Sequence, residues 1–183
     1  ELSSKNLSKD TIINLEIKST PDEKNLTPNP KEMVQIVLND IKKSNLQDKI
    51  IISSFDWRIL REVKNQSPEI SRAYLTFQQE KGLKIKKTIY SKSPWIDHIP
   101  LTIVYDLPKI IKELGGSAWH PYYKDINKKA VKDAHDYNLP VNVWTVNDEY
   151  NMLKMIEYEV DGIMTDYPLK LKELCDKKNI KWF

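Results

Sequence analysis

A carboxylate and an ammonium alternate with aliphatic side chains in the stretch Ile13-Asn14-Leu15-Glu16-Ile17-Lys18. On a strand, side chains two apart share a face. Asn14, Glu16 and Lys18 then point one way and Ile13, Leu15 and Ile17 the other, with Glu16 and Lys18 about 7 Å apart. A carboxylate suits a hard cation such as Mg²⁺ or Ca²⁺, and an ammonium suits a phosphate oxygen. The plainer alternative is a solvated Glu–Lys face on an edge strand, and these residues alone leave both open. Near the other end, Asn142, Trp144 and Val146 alternate with Val141, Val143 and Thr145. A tryptophan there is either a pocket wall or core. The run Asp161 to Pro168 closes with Thr165 or Asp166 as N-cap of a following helix and Pro168 in its first turn.

Other chemistries find no support. His98, His120 and His135 show no metal-ligand spacing. His98 falls in an irregular stretch, His120 just after a strand and His135 on a helix, where a surface position is expected. The single Cys175 excludes a disulfide framework and a cysteine-based metal site. Only four glycines occur, Gly82, Gly115, Gly116 and Gly162, so no Gly-rich phosphate loop is present. With 29 Lys+Arg against 26 Asp+Glu, the net charge of +3 is too small for a nucleic-acid footprint. The basic run Lys81, Lys84, Lys86 and Lys87 reads as a solvated loop face. No apolar run approaches the roughly 18 residues that span a membrane. The chain opens on Glu1 without a signal-type segment, so a processed or cut N-terminus is expected.

The 183 residues suffice for one ordinary domain. Short Ile/Val-rich runs alternate with helical periodicity. Strands are expected at Ile12–Lys18, Lys49–Phe55, Ile70–Thr76, Ser117–His120, Pro140–Asn147 and Asp161–Thr165. The helices between and after them begin at Pro30, Asp56, Leu107, Ile126, Asp148 and Tyr167. Between Phe77 and Asp106 the pattern lapses, and a connection of that length is often functional. Strands alternating with helices call for a parallel sheet, either open and doubly wound or part of a (β/α)8 barrel. Helix-covered parallel strands are normally apolar on both faces. The polar face of Ile13–Lys18 therefore favours a barrel, whose interior takes polar residues near the C-terminal mouth.

Several motifs in order resemble the glycerophosphodiester phosphodiesterases. They are Asn14-Leu15-Glu16-Ile17-Lys18, Ser53-Ser54-Phe55, Ala73-Tyr74-Leu75-Thr76, Trp119-His120-Pro121-Tyr122-Tyr123, Val143-Trp144-Thr145-Val146-Asn147-Asp148, and Val160 to Pro168. The resemblance runs from about Thr11 to the end. It implies an α/β fold, a TIM barrel of which six of eight β/α units are present. The chain then forms one incomplete domain, 1–183, with an inserted irregular segment at about 77–106. The family hydrolyses glycerophosphodiesters to glycerol 3-phosphate and an alcohol, with a divalent cation and two histidines. By resemblance Glu16 is a metal ligand, Lys18 contacts the phosphate, and Trp144 and Phe55 form an apolar wall. The expected partner is the small diester substrate, with no nucleic acid, no transmembrane segment in this chain, and a missing N-terminal segment or chain.

The departures are equally definite. The family's first two strands carry His-Arg-Gly, a Glu-x-Asp metal pair and a second catalytic histidine, and none occurs here. Glu1 to Asp10 is expected to be the tail of a helix before the third barrel strand. No catalytic residue is therefore assigned in this chain, and the chain alone is expected to be inactive. A decayed or split-gene remnant and a non-enzymatic phosphate-binding module are the competing readings. Longer family members are often exported, so an exported or periplasmic location is expected over a cytoplasmic one.

Overall fold

The computed structural model describes residues 10–23, 25–80, 86–102 and 105–181. The helical tail expected at Glu1–Asp10 falls outside this set except for Asp10, and Lys81 and Lys84 also lie outside it. Strands β1 (Ile13–Glu16), β2 (Ile50–Ser54), β3 (Ser71–Thr76) and β4 (Ala118–Pro121) form a parallel sheet in chain order. Strands β5 (Asn142–Val143) and β6 (Gly162–Ile163) pair in parallel. The bridges Trp119–Val141 and Tyr122–Trp144 join the two sheets. Helices α1 (Pro30–Ser44), α2 (Trp57–Gln66), α3 (Leu107–Glu113), α4 (Lys128–Asp136), α5 (Glu149–Glu157) and α6 (Pro168–Lys177) each follow one strand.

Strand order decides between the two architectures. A doubly wound sheet reverses its order at a switch point; here it runs from β1 to β6 without reversal. The sheet also curves back, because Asn14 Nδ2 on β1 reaches Met164 Sδ just after β6 at 4.0 Å. This is the wall of a partial barrel of parallel β/α units. Among the described residues, β1 pairs only with β2, and β6 only with β5.

The main core lies between the sheet and the helices. Ile17, Ile52 and Val143 are buried there with Val34, Ile59, Leu60 and Met152, and Ile13 and Leu15 pack against it. The apolar set of β1 therefore faces the helices, as its alternation requires. Just after β5 the alternation breaks. Val146 joins Val141 and Val143 in this core, while Thr145 is exposed, so Val146 does not share the face of Asn142 and Trp144.

Polar side chains cap the N-termini of four helices. Asn29 Oδ1 accepts from Glu32 N at 3.0 Å, and Asp56, Asp148 and Asn127 cap α2, α5 and α4 in the same way. Replacing Asn29 with Ala should lower stability by about 1 kcal/mol, read as a shift in urea midpoint at constant slope. The cap of α6 differs from expectation. Thr165 Oγ1 accepts from Tyr167 N, Asp166 bonds Asn147, and the N-cap Tyr167 offers no side-chain bond.

Gly115 ends α3 with φ +85°, a region that suits glycine. At Gly116 a β-carbon would meet Ile111 Cγ2 at 2.5 Å and the Ile111 carbonyl at 2.9 Å. Gly116→Ala should therefore destabilise by about 1–3 kcal/mol; a melting temperature equal to wild type would contradict that close approach.

Candidate functional site

The parallel register carries one face of the sheet around the concave side. Asn14 pairs with Ile51 and Glu16 with Ser53, Ser53 with Ala73, Leu75 with His120, and Tyr122 with Trp144. Glu16 and the residues in step with it thus turn away from the helices.

Beyond the C-terminal ends of β1 and β2 lies a cavity of about 310 Å³. Glu16, Lys18 and Phe55 line it, with Asp22 and Glu23 from the loop after β1 and Lys86, Thr88 and Trp95 from the connection after β3. Lys18 Nζ stands 3.8 Å from Glu16 Oε2. The Lys18 side chain is 81% exposed and that of Glu16 33%. Burial pushes the Glu16 carboxyl above its ordinary range, and the nearby Lys18 ammonium partly offsets this. A half-desolvated carboxylate beside an accessible ammonium can meet a cation at one atom and a phosphate oxygen at the other.

Buried polar groups hold the two loops in place. Ser54 Oγ donates to the carbonyl of Ile17 at 2.7 Å. Ser19 Oγ donates to Asp56 Oδ2 at 2.6 Å, and Arg58 Nη2 reaches the same oxygen at 2.7 Å. The backbone on both sides of Lys18 is thereby tied to the end of β2. In the sequence Asp56 marked only a helix start, yet it also anchors the loop that follows Lys18.

Of the two aromatics singled out, Phe55 lines the cavity and Trp144 stands behind it. Their rings meet edge to face at 5.3 Å. Trp144 is buried with Leu75, Phe77 and Tyr122, and its Nε1 donates to the carbonyl of His120 at 2.9 Å. This small apolar cluster is separate from the main core.

None of the three histidines lines the cavity. His98 is exposed, with Nδ1 3.2 Å from the Lys92 carbonyl. His135 Nε2 sits 2.8 Å from Asp161 Oδ2, which also accepts from Val141 N where β5 begins. His120 is buried, and its Nε2 lies 3.0 Å from the side-chain amide of Asn142. Burial pushes the His120 pKa down to about 4.

The residues present do not by themselves make a cation site. Glu16 offers one carboxylate, and among the described residues no group of three His, Cys, Asp or Glu side chains gathers to hold a metal. A hard cation takes six or more oxygen ligands.

Among the lining residues that escaped the sequence are Asp22, Glu23, Lys86, Thr88 and Trp95. The basic run around Lys86 read as a solvated face, and Lys86 is exposed; its Nζ is also 3.1 Å from Asp22 Oδ2 at the cavity mouth, and Lys87 pairs with Glu80 at 3.4 Å. No periodicity signals such a pairing, because its partners are 64 positions apart.

The sequence model of the glycerophosphoryl diester phosphodiesterase family matches residues 1–170. A glycerophosphodiester phosphodiesterase of Caldanaerobacter subterraneus subsp. tengcongensis is 31% identical over 170 residues, covering 92% of this chain and 57% of that protein. A crystal structure from Silicibacter pomeroyi DSS-3, assigned to the glycerophosphoryl diester phosphodiesterases, superposes with a TM-score of 0.75 at 30% identity. It covers 94% of this chain and 52% of the other. An Oleispira antarctica phosphodiesterase in complex with the product sn-glycerol-3-phosphate shares the fold, with a TM-score of 0.65 at 22% identity, covering 90% of this chain and 55% of that one. The chain belongs to the glycerophosphoryl diester phosphodiesterase family, and it spans a little over half the length of the relatives it matches. Among the described residues no helix is long and apolar enough to cross a membrane.

Proposed function

We propose that this chain forms the phosphate- and alcohol-binding side of a glycerophosphodiester phosphodiesterase, whose products are glycerol 3-phosphate and an alcohol. The observation that carries this reading is the meeting of Glu16, Lys18 and Phe55 in one cavity beyond the strand C-termini of a family barrel. Barrel sites are built at that mouth. Lys18 contacts the phosphate oxygens, where its charge opposes the negative charge of the diester. Phe55, backed by Trp144, walls the apolar side. Glu16 would be one ligand of a divalent cation, Mg²⁺ or Ca²⁺, which would neutralise charge on the phosphate. Proton transfer to the leaving alkoxide needs a positioned acid. Because no histidine lines the cavity, the 183-residue chain binds its ligand without turning it over.

Calorimetric titration of the chain with glycerol 3-phosphate, with and without Mg²⁺ or Ca²⁺, tests the binding. Saturable binding at one site supports the reading, and no binding under any of these conditions removes it. A coupled assay for glycerol 3-phosphate release tests the second part. Cation-dependent turnover by the chain alone would contradict the absence of an acid–base pair.

A further inference from the structure

Two arginines one turn apart on α2 serve the two loops that wall the cavity. Arg58 holds Asp56 through Nε at 2.9 Å and Nη2 at 2.7 Å, and Asp56 in turn holds Ser19, the residue after Lys18. Arg61 Nη1 pairs with Asp97 Oδ2 in the connection after β3, and Asp97 attracts Arg58 as well. The first loop supplies Lys18 and Ser19 to the cavity, the second Thr88 and Trp95. Arg61 and Asp97 themselves lie outside its lining.

Trp95 sits in the 3₁₀ turn Pro94–Ile96, and Asp97 is the C-cap of that turn. Ser93 Oγ accepts from Trp95 N at 3.3 Å, and His98 N donates to the Ser93 carbonyl at 2.9 Å. Ser93 and Ile96 are fully buried. Asp97 and His98 have φ of 57° and 58°, the left-handed region that residues other than glycine seldom adopt. Two such residues in succession persist only where the surrounding contacts hold them. Ile96 fixes the depth of the turn. A guanidinium–carboxylate pair is directional, so the bond from Arg61 to Asp97 fixes its rotation, and with it the place of the Trp95 ring.

We propose that Arg61 is a positioning residue: through Asp97 it latches the Pro94–Ile96 turn, so that Trp95 stands against the ligand that Lys18 holds. This rests on the phosphate reading above. An unlatched turn leaves the closed wall populated for only part of the time, and the apparent affinity falls by that fraction. The N-terminal half of α2 is then a brace with two arms, Arg58 for the loop of Lys18 and Arg61 for the turn of Trp95.

The test uses the full chain carrying Arg61→Met, Arg61→Lys, Asp97→Asn, or Arg61→Met with Asp97→Asn. Asparagine serves at 97 because it tolerates the left-handed backbone. In calorimetry with glycerol 3-phosphate, Arg61→Met and Asp97→Asn should each weaken binding about two- to fivefold, the range that a partly exposed ion pair supports. The double variant should be no weaker than the worse single one, because both changes remove one contact. Arg61→Lys should recover most of the affinity. Acrylamide quenching gives a readout that needs no ligand. The Trp95 contribution, taken as the difference from matching Trp95→Phe proteins, should become more accessible in Arg61→Met and in Asp97→Asn. Wild-type affinity in both single variants, losses that multiply in the double one, or unchanged Trp95 quenching each overturn the latch. If the wild-type chain does not bind glycerol 3-phosphate, the phosphate reading falls, and the quenching result alone decides whether Arg61 holds the turn.

Discussion

Replacing Lys18 by Met is expected to weaken glycerol 3-phosphate binding about ten- to a hundredfold, the effect of losing a hydrogen bond to a charged group worth about 1.5–3 kcal/mol. The fold should hardly notice. The Lys18 side chain is 81% exposed and, among the described residues, pairs only with Glu16 at 3.8 Å, so the change in unfolding free energy should stay within about 0.5 kcal/mol. The partner substitution separates charge from shape. Glu16 and a bound phosphate compete for the same ammonium. In the presence of a chelator, Glu16→Gln should therefore leave phosphate affinity equal or raise it, the opposite sign to Lys18→Met. Calorimetry of both variants with one ligand reads this contrast. If Lys18→Met binds glycerol 3-phosphate as tightly as wild type, the phosphate does not lie at Lys18.

Acidification should destabilise the fold through His120. An unfolded histidine titrates near pH 6.5, whereas burial holds His120 down at about 4. Above about pH 6.5 both states are neutral and this contribution is complete. Between about pH 6.5 and 4 the unfolded chain takes up a proton that the native state refuses, so stability falls as pH falls. Below about 4 both states are protonated and the loss levels off. The full swing is about 3 kcal/mol, a large share of a stability that is ordinarily about 5–15 kcal/mol. Carboxyls contribute with the other sign. Burial raises Glu16 and Asp125 above the ordinary range, so their protonation on acidification favours the native state. The comparison with His120→Gln isolates the histidine, since glutamine can still bond Asn142 but does not titrate. Urea unfolding of both proteins at intervals from pH 7 to 4 should show a steeper decline in wild type. Equal slopes would mean that His120 is not held neutral by its surroundings.

Much of this protein could be read from local pattern. Six strand–helix units follow from Ile/Val runs and helical periodicity because each of those signals acts within a turn or two or a few strand residues. Asn29, Asp56, Asn127 and Asp148 cap helices wherever the chain later travels. The alternation in Ile13–Lys18 likewise sorts Glu16 from Ile17, because strand periodicity is a property of the backbone alone. The shortening of β5 and β6 to two residues each was not legible, since pairing depends on what lies alongside. Nor was the direction of Val146, which packs in the main core while Trp144 lies in the separate aromatic cluster.

The choice between a doubly wound sheet and a barrel wall was left to tertiary structure, because both share the same local pattern and differ only in which strand lies beside which. The same is true of the site. Residue type and spacing nominated Glu16 and Lys18, two positions apart on one strand. Asp22, Lys86 and Trp95 could be found only once the chain closed loops that bring distant residues to one mouth. An ion pair between Lys86 and Asp22 leaves no trace in periodicity, since its partners are 64 positions apart in the chain.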